Sequence, residues 1–156
     1  RDEIIALAKS GLTVIADSRY NIGEYTDCIL KPNEVECWCA VYNNEGYINA
    51  GYNEFIEAAK LLAKKNRSTV FCTLGKRGSI VTDGDRTEKA DAVLFDGEVD
   101  ICGAGDTSLS AFSAAIAAKT ELKTAAQFAG LASGVTVRKI GVTGTASPEE
   151  IEALAQ

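Results

Sequence analysis

The sequence predicts an α/β protein with a mostly parallel sheet, and three observations lead to this prediction. Short apolar runs alternate with stretches of helical periodicity, which is the pattern of β-α-β units. The apolar runs have the length and composition of buried strands. The chain has 156 residues, enough for one domain with a sizeable core. We therefore expect residues 1–156 to belong to a single domain.

Strands are expected where apolar runs lie between turn residues, at 12–17, 28–33, 69–74 and 79–82, with a weaker extended stretch at 86–95. The first run ends in a carboxylate, and the second is interrupted by Pro32. Ligands bind at the carboxyl ends of parallel strands, so the residues that follow these strands are the candidates for function.

Helices are expected at 2–10, 53–65, 103–118, about 122–138 and a last segment that opens at Ser147. The first stops at Gly11, and the third is led by glycines with its apolar residues on one face. The second places its apolar residues on one face at helical spacing, namely Phe55, Ile56, Ala59, Leu62 and Ala63. The last opens with a capping box, SPEE, that has Pro148 at its first helical position.

Composition excludes several classes of function. Sixteen basic and twenty-two acidic residues leave a net charge of -6, which argues against nucleic acid or an anionic membrane as the main partner. The chain has no histidine, so neither a Ser-His-Asp triad nor a Cys-His protease site can form. Five cysteines, an odd number, favour reduced thiols in a cytoplasmic protein.

The chain has no methionine and begins at an arginine, from which we expect a piece of a longer protein.

The segment at 100–107, DICGAGDT, carries the strongest chemical signal. Gly103, Ala104 and Gly105 have little or no side chain, so at a helix start their backbone N–H groups can point at one anion. Asp106 lies in the same first turn. An anion hole beside a base is what phosphoryl transfer requires. The alternative is an ordinary helix N-terminus with a first-turn aspartate.

Three weaker candidates follow other strands. In the segment TLGKRGS at 73–79, glycines would let the backbone approach a nucleotide while Lys76 or Arg77 lies near phosphates. This segment is not a Walker A loop, and a polar turn is its simpler interpretation. Asn33 and Glu36 would share one face of a helix and could hold magnesium, or could simply cap that helix. The segment 17–19, DSR, is either a charge pair at a strand end or an arginine aimed at the ligand.

The order and spacing of these segments resemble the ribokinase (PfkB) family of sugar kinases. The residues that carry the resemblance are Asn-x-x-Glu at 33–36, TLGKRGS at 73–79 and DICGAGDT at 100–107, with a similar C-terminal region at 128–141. The resemblance implies a ribokinase-like αβα sandwich, present here only in part, and a kinase that moves the γ-phosphoryl of Mg-ATP to a hydroxyl of a sugar or sugar phosphate.

The resemblance implies roles for individual residues. Asp106 would be the catalytic base, and the Gly103–Gly105 segment would form the anion hole. Asn33 and Glu36 match the magnesium and phosphate motif. The nucleotide-binding positions would be Thr73, Gly75, Lys76, Gly78 and Gly130.

Asp100 matches a position that holds a monovalent cation such as K⁺ in some members, with backbone oxygens of Thr136 and Gly141. Two departures bear on these roles. Ile101 and Cys102 stand where many members have small or hydroxyl residues, and Gly130 stands where a side chain often contacts adenine.

Within the family, the segments at 16–19, 30–34 and 139–150 look most like the heptose-phosphate kinase branch that feeds lipopolysaccharide core synthesis. The family's sugar-binding residues and lid come mainly from an N-terminal half, so we expect the nucleotide half alone to be inactive. Members often dimerise through the lid, and a homodimer of this chain would have to use another surface. The alternative function is a nucleotide-binding or regulatory module of the same fold without transfer activity.

Overall fold

The computed structural model describes all 156 residues, and the chain divides into two compact units. The first unit comprises residues 1–75 and 80–89, and the second comprises residues 76–79 and 90–156. No helix is both long and apolar enough to cross a membrane.

Six α-helices occur: five lie at the predicted positions, and the sixth lies at 34–42, where Asn33 and Glu36 indicated a possible helix cap. They are α1 (Asp2–Lys9), α2 (Glu34–Tyr42), α3 (Tyr52–Asn66), α4 (Ala104–Ala117), α5 (Leu122–Thr136) and α6 (Pro148–Ala155). Single 3-10 turns lie at Ile22–Glu24, Gly46–Asn49 and Gly75–Arg77. The predicted capping box of α6 is present: the Ser147 side chain accepts from Glu150 N, and the Glu150 side chain accepts from Ser147 N.

Five strands form one sheet in the order β1-β2-β3-β4-β5. They are β1 (Ile15–Ala16), β2 (Ile29–Leu30), β3 (Val70–Thr73), β4 (Ser79–Thr82) and β5 (Thr87–Ala90). The β1–β2 and β2–β3 pairs are parallel, as predicted. The connection from β2 to β3 contains α2 and α3, whereas the connection from β1 to β2 contains a 3-10 turn and no α-helix.

Several elements are shorter than the sequence predicts, because the apolar runs used to predict them include residues that do not pair with a neighbouring strand. Leu12 lies in the first predicted strand but is 58% exposed, and only Ile15–Ala16 pairs with β2. β2 ends at Leu30, since Pro32 lacks an N–H group and Asn33 already caps α2. The extended stretch at 86–95 is a strand only at Thr87–Ala90, and α5 ends at Thr136 rather than 138.

The core of the first unit forms between α3 and the sheet. The α3 residues predicted to share an apolar face are all buried, namely Phe55, Ile56, Ala59, Leu62 and Ala63. β3 contributes Val70 and Cys72, which are 0% exposed. Such an unbroken apolar run is typical of a parallel strand that is covered on both faces. β5 carries Glu88 and Lys89 as exposed residues, which disfavours pairing of this strand with other chains.

Asn66, the last residue of α3, is a buried polar residue that the sequence analysis did not single out. Its side chain is fully buried, and Nδ2 donates to the carbonyl oxygens of Gly23 (3.2 Å) and Tyr25 (2.7 Å). The amide therefore ties the end of α3 to a turn more than 40 residues earlier in the chain.

We expect Asn66→Ala to lower the free energy of unfolding by about 1–2 kcal/mol, because two partly buried carbonyl groups lose their donor while a buried Oδ1 without a partner is removed. Asn53→Ala, an exposed position on the same helix, should change it by less than about 0.5 kcal/mol. Urea unfolding at constant m-value gives both numbers. Equal shifts for the two variants would show that the Asn66 amide does not stabilise the fold.

The second unit is built mainly from α4 and α5, which pack against each other. Small residues allow this close packing, and the α5 residues Ala125, Ala126, Ala129 and Ala132 are all buried. Phe112 of α4 is 0% exposed and is the largest fully buried side chain of this helix.

Candidate functional site

In the first unit, Asn33, Glu36 and Thr73 lie together at the carboxyl ends of β2 and β3. Asn33 caps α2: its Oδ1 accepts from Glu36 N (2.8 Å), and Glu36 Oε2 accepts from Asn33 N (2.9 Å). Thr73 N donates to Pro32 O (3.0 Å), and Asn33 and Thr73 form an isolated parallel bridge. The capping interpretation of this motif is therefore confirmed.

The capping box leaves an oxygen set that fits magnesium. It engages only one carboxylate oxygen of Glu36, and Asn33 keeps the second lone pair of its amide oxygen. The structure contains no group of three His, Cys, Asp or Glu side chains placed to hold a metal ion. Mg²⁺ is commonly held by one or two protein oxygens together with phosphate oxygens and water, so Asn33 and Glu36 match its requirements.

The loop after β3 contains a left-handed glycine that faces open space. Gly75 has φ +56°, and a Cβ built on it would meet no heavy atom within 4 Å. It opens the 3-10 turn Gly75–Arg77, in which Lys76 is exposed. An open backbone beside an exposed lysine suits a phosphate-bearing ligand.

Gly78, in contrast, is a glycine for a structural reason. It belongs to the second unit, where its φ is +83° and a Cβ would lie 2.1 Å from Ala90 O and 2.8 Å from Ala92 N. Gly130 of α5 faces the same segment less tightly, since its Cβ would lie 3.7 Å from Asp91 O, an ordinary contact distance.

The N-terminus of α4 combines unpaired N–H donors with an exposed carboxylate. Gly103 is the N-cap, with φ +77°, and a Cβ there would lie 2.9 Å from Thr143 Cγ2. The Ala104 N–H is occupied by Ile101 O (3.1 Å). The N–H groups of Gly105 and Asp106 belong to the helix positions that lack an intrahelical acceptor, and both residues are exposed. The N–H groups of this turn without a backbone acceptor are therefore those of Gly105 and Asp106 rather than that of Ala104.

Asp100 ties together the two loops that precede α4 and follow α5. Its Oδ1 accepts from Cys102 N (2.9 Å), and its Oδ2 accepts from Gly141 N (3.0 Å). These two backbone donors, with Cys102 the larger cause, lower the pKa of the Asp100 carboxyl below its ordinary value. Gly141 thus presents its N–H group to Asp100, and the Thr136 carbonyl accepts from Lys139 N (3.0 Å).

One ion pair was missed by the sequence analysis, which considered Arg19 as the partner of Asp17. Asp17 instead pairs with Lys31, with 2.7 Å between Nζ and Oδ2, while Arg19 is exposed. The Lys31 side chain is only 6% exposed. The β1–β2 register places Asp17 and Lys31 at neighbouring positions just beyond the two strands. An apolar run that ends in Asp beside a parallel run that ends in Lys is the signal that could have found it.

The candidate residues thus form two groups. The first unit holds Asn33, Glu36, Thr73 and Gly75 at the ends of its strands. The second unit holds the rest, which are Lys76, Gly78, Asp100, Gly103, Ala104, Gly105, Asp106 and Gly130.

Comparison with known proteins shows what this chain is similar to. The family model described as pfkB family carbohydrate kinase matches residues 8–150. The bifunctional protein HldE of Nitratiruptor is 33% identical over 153 residues, which is 94% of this chain and 30% of that protein. HldE of Shewanella baltica is 30% identical over 156 residues, 98% of this chain and 32% of that protein. The chain therefore spans about a third of the length of these relatives.

Solved structures confirm the ribokinase-like fold. Arabidopsis thaliana ribokinase, complexed with ribose and ATP, has a TM-score of 0.82 at 23% identity, covering 99% of this chain and 52% of that one. Escherichia coli phosphofructokinase-2 has a TM-score of 0.79 at 21% identity, covering 98% of this chain and 50% of that one. The sequence motifs, the α/β fold and the family match agree: this chain belongs to the pfkB family of carbohydrate kinases.

Proposed function

We propose that residues 1–156 carry the nucleotide-binding and catalytic portion of an ATP-dependent sugar kinase. The observation that carries the proposal is the start of α4 in a chain of the pfkB family. There, the N–H groups of Gly105 and Asp106, which lack a backbone acceptor, belong to the same exposed turn as the Asp106 carboxylate.

In the proposed reaction, the Asp106 carboxylate accepts the proton of a sugar hydroxyl as its oxygen attacks the γ-phosphorus of ATP. The bond between that phosphorus and the β–γ bridging oxygen breaks, and ADP leaves. The N–H groups of Gly105 and Asp106, with the positive end of the α4 dipole, stabilise negative charge on the transferring phosphoryl. Gly103 contributes through its left-handed conformation, which begins the helix at this point.

Asn33 and Glu36 are the residues that would hold magnesium. When bound there, the ion would neutralise charge on the ATP phosphates. Thr73, Gly75, Lys76, Gly78 and Gly130 are the proposed nucleotide-binding residues, and the open space at Gly75 supports this most directly. Asp100 is the proposed anchor of a monovalent cation such as K⁺; both of its oxygens already accept from backbone N–H groups, so it would act with at most its remaining lone pairs.

The substrate proposed is a sugar or sugar phosphate, and the similarity to HldE proteins supports a heptose phosphate within that class. The net charge of -6 supports small-molecule partners rather than nucleic acid. Cytoplasmic location is a further proposal, which rests on the five free cysteines, and a homodimer is another, which rests on the family resemblance alone.

Calorimetric titration of Mg-ATP into the chain tests nucleotide binding. We expect a dissociation constant roughly in the micromolar to sub-millimolar range. Gly75→Asn should weaken binding at least about tenfold with little loss of stability, because asparagine tolerates a left-handed φ and its side chain would enter the open space at Gly75. Gly11→Asn is the matched control, since Gly11 also has a positive φ and open surroundings but follows α1.

Release of ADP in the presence of free sugars and sugar phosphates tests transfer. Turnover with any member of that panel supports the kinase. ATP binding without turnover, both in this chain and in the complete gene product, would favour the alternative function, a nucleotide-binding module without transfer activity. Absence of both would contradict the proposed function.

A further inference from the structure

A pair of hydroxyl groups joins the first turn of α4 to the last residue of α5. Thr136 Oγ1 lies 3.1 Å from Thr107 Oγ1 and 3.3 Å from the carbonyl oxygen of Ala132. Thr136 is only 1% exposed, and Thr107 is half-buried. The two residues are 29 positions apart, so this contact exists only because α4 and α5 pack together.

Thr136 bonds to one end of this helical turn and lies near the other. Its hydroxyl contacts Thr107 in the first turn of α4, and its Cγ2 methyl lies on the side of Gly103, the N-cap, where a Cβ built on that glycine would be 4.0 Å away. Within that turn, Thr107 N donates to Gly103 O (2.9 Å). Thr136 therefore supports the turn from its buried side, opposite the exposed residues Gly105 and Asp106.

A buried hydroxyl at the end of a helix has simpler uses, such as a bond to a carbonyl of its own helix. Ser113 in α4 shows that pattern, since its hydroxyl donates only to Leu109 O (2.7 Å). The Thr136 hydroxyl has one proton, which it can donate to Ala132 O in the same way or to the Thr107 hydroxyl of another helix beside the proposed base. A role confined to its own helix does not explain the contact with Thr107.

We infer that Thr136 is a positioning residue that, through the Thr107 hydroxyl, holds the first turn of α4 with its N–H donors and Asp106 in the geometry for phosphoryl transfer. The catalytic part of this inference rests on the proposed function. The positioning part can be tested without it. A small displacement of a catalytic group can cost up to about 10²-fold in rate even when substrate still binds.

The test compares Thr136→Val, which removes the hydroxyl and keeps the shape, with Thr136→Ser, which keeps the hydroxyl. Ser113→Ala is the matched control, because it removes a hydroxyl that bonds only within its own helix. We expect Thr136→Val to lower kcat about tenfold while KM for ATP changes less than about twofold, and Thr136→Ser to restore kcat. Turnover is measured on the complete gene product with the best substrate of the sugar panel.

Amide hydrogen exchange of Thr107 in the 156-residue chain provides a readout that needs no activity. We expect about tenfold faster exchange in Thr136→Val and no change in Ser113→Ala. If Thr136→Val does not fold, Thr107→Val removes the other half of the pair and should show the same loss of kcat.

The outcomes distinguish failure of the proposed kinase function from failure of the positioning role of Thr136. If the wild-type protein has no turnover, the proposed function fails, and unchanged Thr107 exchange in Thr136→Val would then overturn the positioning role as well. If the wild-type protein is active, kcat and exchange in Thr136→Val equal to those of Ser113→Ala would overturn the inference while leaving the proposed function intact.

Discussion

Asp106→Asn should reduce phosphoryl transfer by about 10²–10⁴-fold, the range expected when a general base is removed. Asparagine has nearly the same shape as aspartate but cannot accept the proton of the attacking hydroxyl. Because Asp106 is exposed at the start of α4, ATP binding should change little. The measurements are initial rates of ADP release with sugar and a calorimetric titration of Mg-ATP.

Two further variants decide how that result is interpreted. Asp96→Asn also removes an exposed carboxylate from the second unit, but at a position with no proposed role, so its rate should match the wild type. Asp106→Glu keeps a carboxylate and moves it by one methylene, so its rate should fall between those of wild type and Asp106→Asn. A wild-type rate in Asp106→Asn would show that this carboxylate is not the base.

Gly78→Ala should have the largest effect on stability, lowering the free energy of unfolding by more than about 3 kcal/mol. The left-handed φ of +83° accounts for about 1–2 kcal/mol of that loss. The rest comes from a methyl group built 2.1 Å from Ala90 O, which the backbone can accommodate only by moving. Thermal and urea unfolding measure the change.

Gly75→Ala is the matched control for Gly78→Ala. It also places alanine at a left-handed position, with φ +56°, but in open space, so we expect a loss of only about 1–2 kcal/mol. The difference between the variants isolates the steric contact at residue 78. Similar losses at both positions would mean that the backbone around Ala90 adjusts at little cost.

These two glycines show why a motif gives incomplete information about the residues within it. Both stand in the TLGKRGS segment, and the resemblance assigns both to the nucleotide loop. In the structure, the backbone of residues 90–92 leaves no room for a side chain at residue 78, which is enough to explain the glycine there. At residue 75 only the left-handed φ favours glycine, since no neighbouring atom would meet a side chain. A requirement set by a distant segment cannot be deduced from spacing.

Features that depend on neighbouring residues could be predicted from the sequence. The α3 face was predicted because residues three and four apart share one side of a helix, and its members are all buried. The capping boxes at Asn33 and Ser147 were predicted for the same local reason. The family was predicted from the order of short motifs, and the family match bears this out.

Features that depend on residues far apart in the chain could not be predicted. The lengths of β1 and β2 depend on which apolar residues find a partner, and Leu12 finds none. The Asp17–Lys31 ion pair depends on the register of two strands. The Thr107–Thr136 bond depends on how α4 packs on α5.

By itself, then, the sequence determined the fold class, most helix positions and the family, because periodicity and capping depend on residues that are close in the chain and the order of motifs can be followed directly along it. Tertiary structure alone decided which carboxylate pairs with Lys31 and which buried hydroxyl contacts the turn that carries Asp106. Each of those is a contact between segments that meet only when the chain has folded, and its geometry is set by packing rather than by local preference.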